Sequence, residues 1–287
     1  MFDNDPAERP SSPPAPLRPL TIPSAVLWFL FATACMMLLI GVTDGFRPGA
    51  LDDVVNRVAC LASAYAITVL FIVRVHEGHR PVGRVLALRA THPGFYVLGL
   101  ALGLLMHVPA ELLQRAIDLV WPTDPAIYEA QSELLRMDGL LRKVTIPLVA
   151  IVVGPAAEEL LFRGALQGGL RRVYPHAVVV PVVASLFASA HLSPQLFLSM
   201  FVVAVVVTGL RAASGSIIPA LLAHIAFNAV PIAGLMLGLV SVTPDPQPLP
   251  ALVSVVGVGG SALLVATMLW LARRSAWAQK ARLEDLA

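Results

Sequence analysis

The sequence predicts an all-α, polytopic membrane protein of about eight transmembrane helices, and three observations carry that prediction. Of the 287 residues, 57% are hydrophobic and only 13% charged, where a soluble domain carries about 25% charged residues. The apolar residues fall in runs of ~17 to 25, the length at which a helix crosses a hydrocarbon core. The third observation is where polar side chains interrupt those runs: they gather in the second half of the chain. A formal net charge of +2, with no Lys/Arg block away from helix ends, excludes nucleic acid as a partner class.

Residues 1–20 are rich in proline, with Asp3, Asp5 and Glu8 in place of a basic n-region. They are expected to form a disordered cytoplasmic tail rather than a secretion signal. Residues 21–143 hold spans near 24–42, 54–73 and 93–113, then a connecting loop. The Ala32-Thr33-Ala34-Cys35 string lies inside the first run, which continues to Ile40, so an uncleaved helix is expected. Cys35 and Cys60 sit in apolar runs and read as packed thiols. In the loop, the stretch 126–141 mixes Ile127, Leu134 and Leu135 with charges, which fits either a surface-lying helix or a polar loop.

Residues 144–240 carry spans near 144–163, 177–191, 196–212 and 216–240. The fifth and sixth are short and joined through Leu192-Ser193-Pro194-Gln195, which predicts a tight helical hairpin. Residues 241–287 hold the last span, near 251–272, and a basic tail. Most of the Lys and Arg residues fall on one side when the N-terminus is placed inside, so both termini are expected in the cytoplasm. An integral, multi-pass location follows, in the inner membrane if the source is bacterial. His76, His79, His92 and His176 lie near helix ends and read as solvated or interfacial. Trp28, Trp121 and Trp270 read as interfacial anchors.

The polar residues of the second half fall into three clusters, each with the i, i+4 spacing that places side chains on one helix face. Glu158 and Glu159 interrupt the fourth span, and Arg163 follows Glu159 by one turn. That order suits an intrahelical ion pair, which lowers the cost of burial. Glu158 points about 100° away and must find its partner on another helix. Phe187 and His191 close the fifth span, and His224 and Asn228 lie in the middle of the seventh. Glu158, His191, His224 and Asn228 satisfy one another most cheaply in a shared polar pocket. A carboxylate and an imidazole can deprotonate a water, while an amide and a second imidazole can donate to an oxyanion. The same residues offer a zinc site through Glu158, His191 and His224, with a fourth position for water, and spacing leaves both readings open. His107 and Glu111, one turn apart on the third span, either line this pocket or pair together. Gly154-Pro155 is expected to disturb the helix that carries the glutamates.

These motifs, Glu-Glu-x-x-x-Arg at 158–163, Phe-x-x-x-His at 187–191 and His-x-x-x-Asn at 224–228, resemble those of the CPBP intramembrane protease family. That family includes the type II CAAX prenyl endopeptidases (Rce1-like) and the Abi, or bacteriocin-immunity, relatives. Leu160-Leu161-Phe162-Arg163-Gly164 extends the resemblance, which covers 144–240. It implies a CAAX-protease-like endopeptidase, often described as a metalloprotease, acting on a membrane-anchored or CAAX-like protein or peptide. It also implies that Glu158 and His191 activate water, that His224 and Asn228 form the oxyanion hole, and that Arg163 holds Glu159. Two other readings stand beside it: a transporter relaying ions through the same residues, and a non-catalytic immunity or scaffold protein. The absence of an inverted repeat weighs against the first of these.

Overall fold

The computed structural model describes residues 18–78, 80–239, 249–276 and 279–280. Expectations for the tail 1–17, for His79 and for the end of the basic tail lie outside the described residues. All regular structure among the described residues is helical. Among the described residues, seven helices are long and apolar enough to cross a membrane, which makes this an integral, multi-pass protein. They are α1 (Ile22–Phe46), α2 (Val54–Glu77), α3 (Gly94–Asp118), α4 (Gly139–Arg171), α6 (Pro194–Ser214), α7 (Ile217–Met236) and α8 (Ala251–Arg274). The remaining apolar helix, α5 (His176–Ser189), has 14 residues and is too short to span alone. The sixth span is therefore longer than the sequence predicts, at 21 residues, and only the fifth is short.

The helix ends follow the side chains that cap them. Thr21 and Ser24 form a reciprocal capping box at the start of α1, with a proline in its first turn. Asp53, Ser193 and Ser216 accept from the first free N–H groups of α2, α6 and α7. Gly215 stops α6 at φ +70°, a conformation that costs glycine little. The loop before α4 holds one short, exposed helix, Pro125–Leu134, and α3 runs on to Asp118, so the connection is shorter than the sequence suggests.

Two apolar clusters organise the bundle. One is built mainly by α1, α2, α4 and α5 around Phe162, Leu166 and Phe187. The other is built by α3, α6, α7 and α8 around Phe95, Leu102 and Leu210. Large apolar side chains such as Leu27, Leu38, Leu252 and Val255 remain on the outside, the face a bilayer covers.

Within the second cluster, α3 and α7 run parallel with their backbones in close approach. A Cβ on Gly99 would stand 2.4 Å from the Pro219 carbonyl oxygen, and one on Gly103 would stand 2.2 Å from that of Ala223. Small residues at this spacing are how membrane helices pack without a hydrophobic driving force between them. The seam fixes the register of α7, and with it the direction in which His224 and Asn228 point.

Several residues are placed differently from the expectation. His76 is buried: its Nε2 accepts from Trp28 Nε1 at 2.9 Å, and its Nδ1 lies 2.8 Å from the Arg18 carbonyl oxygen. It ties the start of α1 to the end of α2, so His76 is not a solvated group. The Arg171 Nε donates to His176 Nε2 at 3.0 Å. Cys35 and Cys60 are free thiols.

Candidate active site

The site is built where α4 and α5 of the first cluster meet α6 and α7 of the second. Its central element is α4, which is not a uniform α-helix. Two π-helical stretches, Leu148–Val153 and Leu160–Leu166, flank the short α-helical segment Gly154–Glu159 that carries both glutamates. Departures of this kind recur at functional sites because they re-aim side chains and free backbone groups.

Pro155 explains part of the geometry. The N–H of Gly154 bonds to the Val149 carbonyl, five residues back. In that register the Ala150 carbonyl would take the N–H of residue 155, and proline has none. Asn228 supplies the missing donor from α7: its Nδ2 donates to Ala150 O at 2.9 Å. One amide hydrogen of Asn228 is thus committed to α4, and the other remains for the cavity.

Glu159 and Arg163 form the expected pair, with Nη1 donating to Oε1 at 2.8 Å and the side chains 0% and 1% exposed. The guanidinium also lies 4.3 Å from the centre of the Phe187 ring, a cation–π contact that adds to its compensation. Glu159 has a second role. Its Oε1 accepts from His224 Nδ1 at 2.9 Å, which fixes the proton on that nitrogen and turns Nε2 toward Glu158 Oε2, 3.6 Å away. His224 therefore lies between the two adjacent glutamates, hydrogen-bonded to Glu159 and facing Glu158. Glu158 remains 20% exposed and His224 11%.

His191 lies at the exposed end of α5, its Nδ1 3.1 Å from the Phe187 carbonyl oxygen. The Phe187 ring stands edge-on to both His191 and His224, with centroids 5.1 and 5.7 Å away. Glu158, Arg163, His191, His224 and Asn228 all line one cavity of about 110 Å³, closed on its apolar side by Met200, Val203, Val207 and Phe227. Glu159 sits behind it. The structure thus gathers the sequence-predicted residues, but the histidine nearest Glu158 is His224.

The three suggested zinc ligands are not gathered as a metal set, although the Nδ1 of His224, bonded to Glu159, and the Nδ1 of His191, facing the Phe187 carbonyl, leave each Nε2 free. Among the described residues, no three His, Cys, Asp or Glu side chains converge to hold a metal ion. His107 and Glu111 do not reach the cavity as lining residues either. Glu111 pairs with Arg115 at 2.7 Å, and His107 stacks on Phe227 with ring centroids 4.0 Å apart.

Two participants escape a motif search: the Gly99–Gly103 seam and the Ala150 carbonyl that Pro155, itself expected to disturb the helix, leaves to Asn228. The signal for the first is the small-x-x-x-small spacing, and for the second a proline five residues after a carbonyl in a polar-bearing helix.

Residues 141–230 match the family model of the Rce1-like type II CAAX prenyl endopeptidases. Over that stretch, about a third of its length, the chain is similar to a family of intramembrane proteases that act on peptide substrates. No curated protein and no solved structure matches the chain.

Proposed function

We propose that the chain is an intramembrane endopeptidase that cleaves a membrane-anchored or CAAX-like protein, using water activated by a side-chain base. The observation that carries this reading is His224 set between two adjacent glutamates, bonded to one and facing the other, beside a cavity also lined by His191 and Asn228. A packing role leaves that cavity unexplained, since burying so many unlike polar groups around open space is costly.

In this reading Glu158, the exposed member of the pair, takes a proton from a water held between it and His191. The water oxygen attacks the substrate carbonyl carbon, and the resulting oxyanion accepts from the free amide hydrogen of Asn228. His224 can add a second donor from Nε2 only as an imidazolium, because its Nδ1 hydrogen already goes to Glu159. When the carbon–nitrogen bond breaks, Glu158 returns its proton to the leaving amine. Glu159 and Arg163 orient His224 without touching substrate. No step runs through a metal, as the donors do not converge on one.

The expected topology places both termini in the cytoplasm. The test is turnover of a fluorogenic prenylated CAAX peptide by purified protein, together with trapping of uncut membrane proteins in cells expressing Glu158→Gln. Full turnover by that variant would overturn the assignment.

A further inference from the structure

His107 lies outside the three motifs, yet it continues the seam that sets α7. Gly99 faces Pro219, Gly103 faces Ala223, and His107, one turn further, faces Phe227. On α7 the Phe227 carbonyl is the group that residue 231 would satisfy four residues on, but residue 231 is proline and has no N–H. The ring nitrogen Nε2 of His107 makes a short contact with this carbonyl oxygen. A carbonyl only accepts, so Nε2 is the donor.

We propose that His107 is a positioning residue: it completes the hydrogen bonding that Pro231 leaves open and holds the turn of α7 that carries His224 and Asn228. Its stacked ring also pins Phe227, which walls the reaction cavity and an adjoining apolar pocket lined by Leu102, Met106, Val206 and Leu210. Glu159 reaches His224 from α4, and Asn228 reaches back to α4. His107 holds the same turn from the opposite helix. A misplacement of about 1 Å in such a turn can cost roughly 10²-fold in rate.

The inference rests on the endopeptidase reading only for its turnover measurement. The experiment is a double-mutant cycle on the full chain in detergent micelles, with His107→Phe, Pro231→Ala and their combination. His107→Phe keeps the stacking and loses the donor; Pro231→Ala restores the backbone donor. Two readouts need no substrate: the unfolding midpoint and the ¹⁵N resonances of the His224 ring in histidine-labelled protein. His107→Phe should lower the midpoint and shift the His224 signals, and Pro231→Ala in the same chain should return both toward wild type. His107→Gln, which keeps a terminal N–H donor but loses the stacked ring, should leave the midpoint and the His224 signals closer to wild type than His107→Phe does. With the prenylated peptide, His107→Phe should lower kcat roughly tenfold or more, with KM within about twofold. A wild type without turnover would refute the protease reading while the cycle still stands. Unmoved His224 signals in His107→Phe, or losses that Pro231→Ala does not relieve, would overturn the positioning role.

Discussion

Neutralising Glu159 separates the two glutamates most sharply. In Glu159→Gln the shape of the side chain is kept and its charge removed, which leaves the 1% exposed Arg163 guanidinium without its carboxylate. Breaking a buried pair by removing one partner costs about 3–5 kcal/mol, because the surviving charge stays buried. Glu158 lines the same cavity as Arg163 and Phe187 stacks beneath it, so the lower end, about 3 kcal/mol, is expected. The assay is denaturant titration in mixed micelles, followed by turnover at a temperature where the variant is folded. Adding Arg163→Met should recover most of the lost stability, since an apolar replacement of both partners is often neutral. It should not recover turnover, because His224 has still lost the carboxylate that orients it. The companion Glu158→Gln should change stability by less than about 1 kcal/mol, since that side chain is 20% exposed. Its turnover should fall roughly 10²- to 10⁴-fold, the contribution of a general base. Wild-type stability in Glu159→Gln would refute the division of labour, whatever happened to activity.

Other outcomes follow from neighbouring features. Gly103→Ala places a methyl 2.2 Å from the Ala223 carbonyl oxygen and should destabilise by about 1–3 kcal/mol by pushing α7 away, whereas Gly41→Ala meets nothing within 4 Å and should not; equal unfolding midpoints would refute the seam. Asn228→Ala should cost about 1–3 kcal/mol by orphaning the Ala150 carbonyl, and less in a Pro155→Ala background; additive losses would show that the amide does not serve that carbonyl. Exhaustive treatment with a chelator should leave peptide turnover unchanged, and a loss restored by zinc would refute the metal-free route.

Much of the fold was legible because bilayer thickness imposes its own period on the sequence: runs long enough to cross are visible without tertiary information. The Glu159–Arg163 pair was legible for a similar reason, since both residues lie on one helix and their contact follows from 3.6 residues per turn. What joins different helices was not. That His224 serves both glutamates depends on the register of α7 against α4, and that register is set by glycines on α3, a helix outside the motifs. The burial of His76 was missed because its partners, Trp28 and the Arg18 carbonyl, are distant in sequence. The fifth helix is as short as expected, but the sixth was read too short because its ends, at Pro194 and Ser214, lie beside polar residues rather than in the apolar run.

The two prolines carry a consequence for how the protein assembles. An isolated α4 or α7 lying in lipid has a carbonyl, at Ala150 or Phe227, that its own helix does not satisfy. Each such group costs several kcal/mol in hydrocarbon, on the order of the penalty for an unpaired amide. Neither helix is complete until it docks: α4 waits for Asn228 on α7, and α7 waits for His107 on α3. The debt ties order of assembly to readiness for chemistry. A half-assembled bundle is held back by its own unsatisfied backbone, and closing the last gap in the helices also brings the glutamates to their histidine.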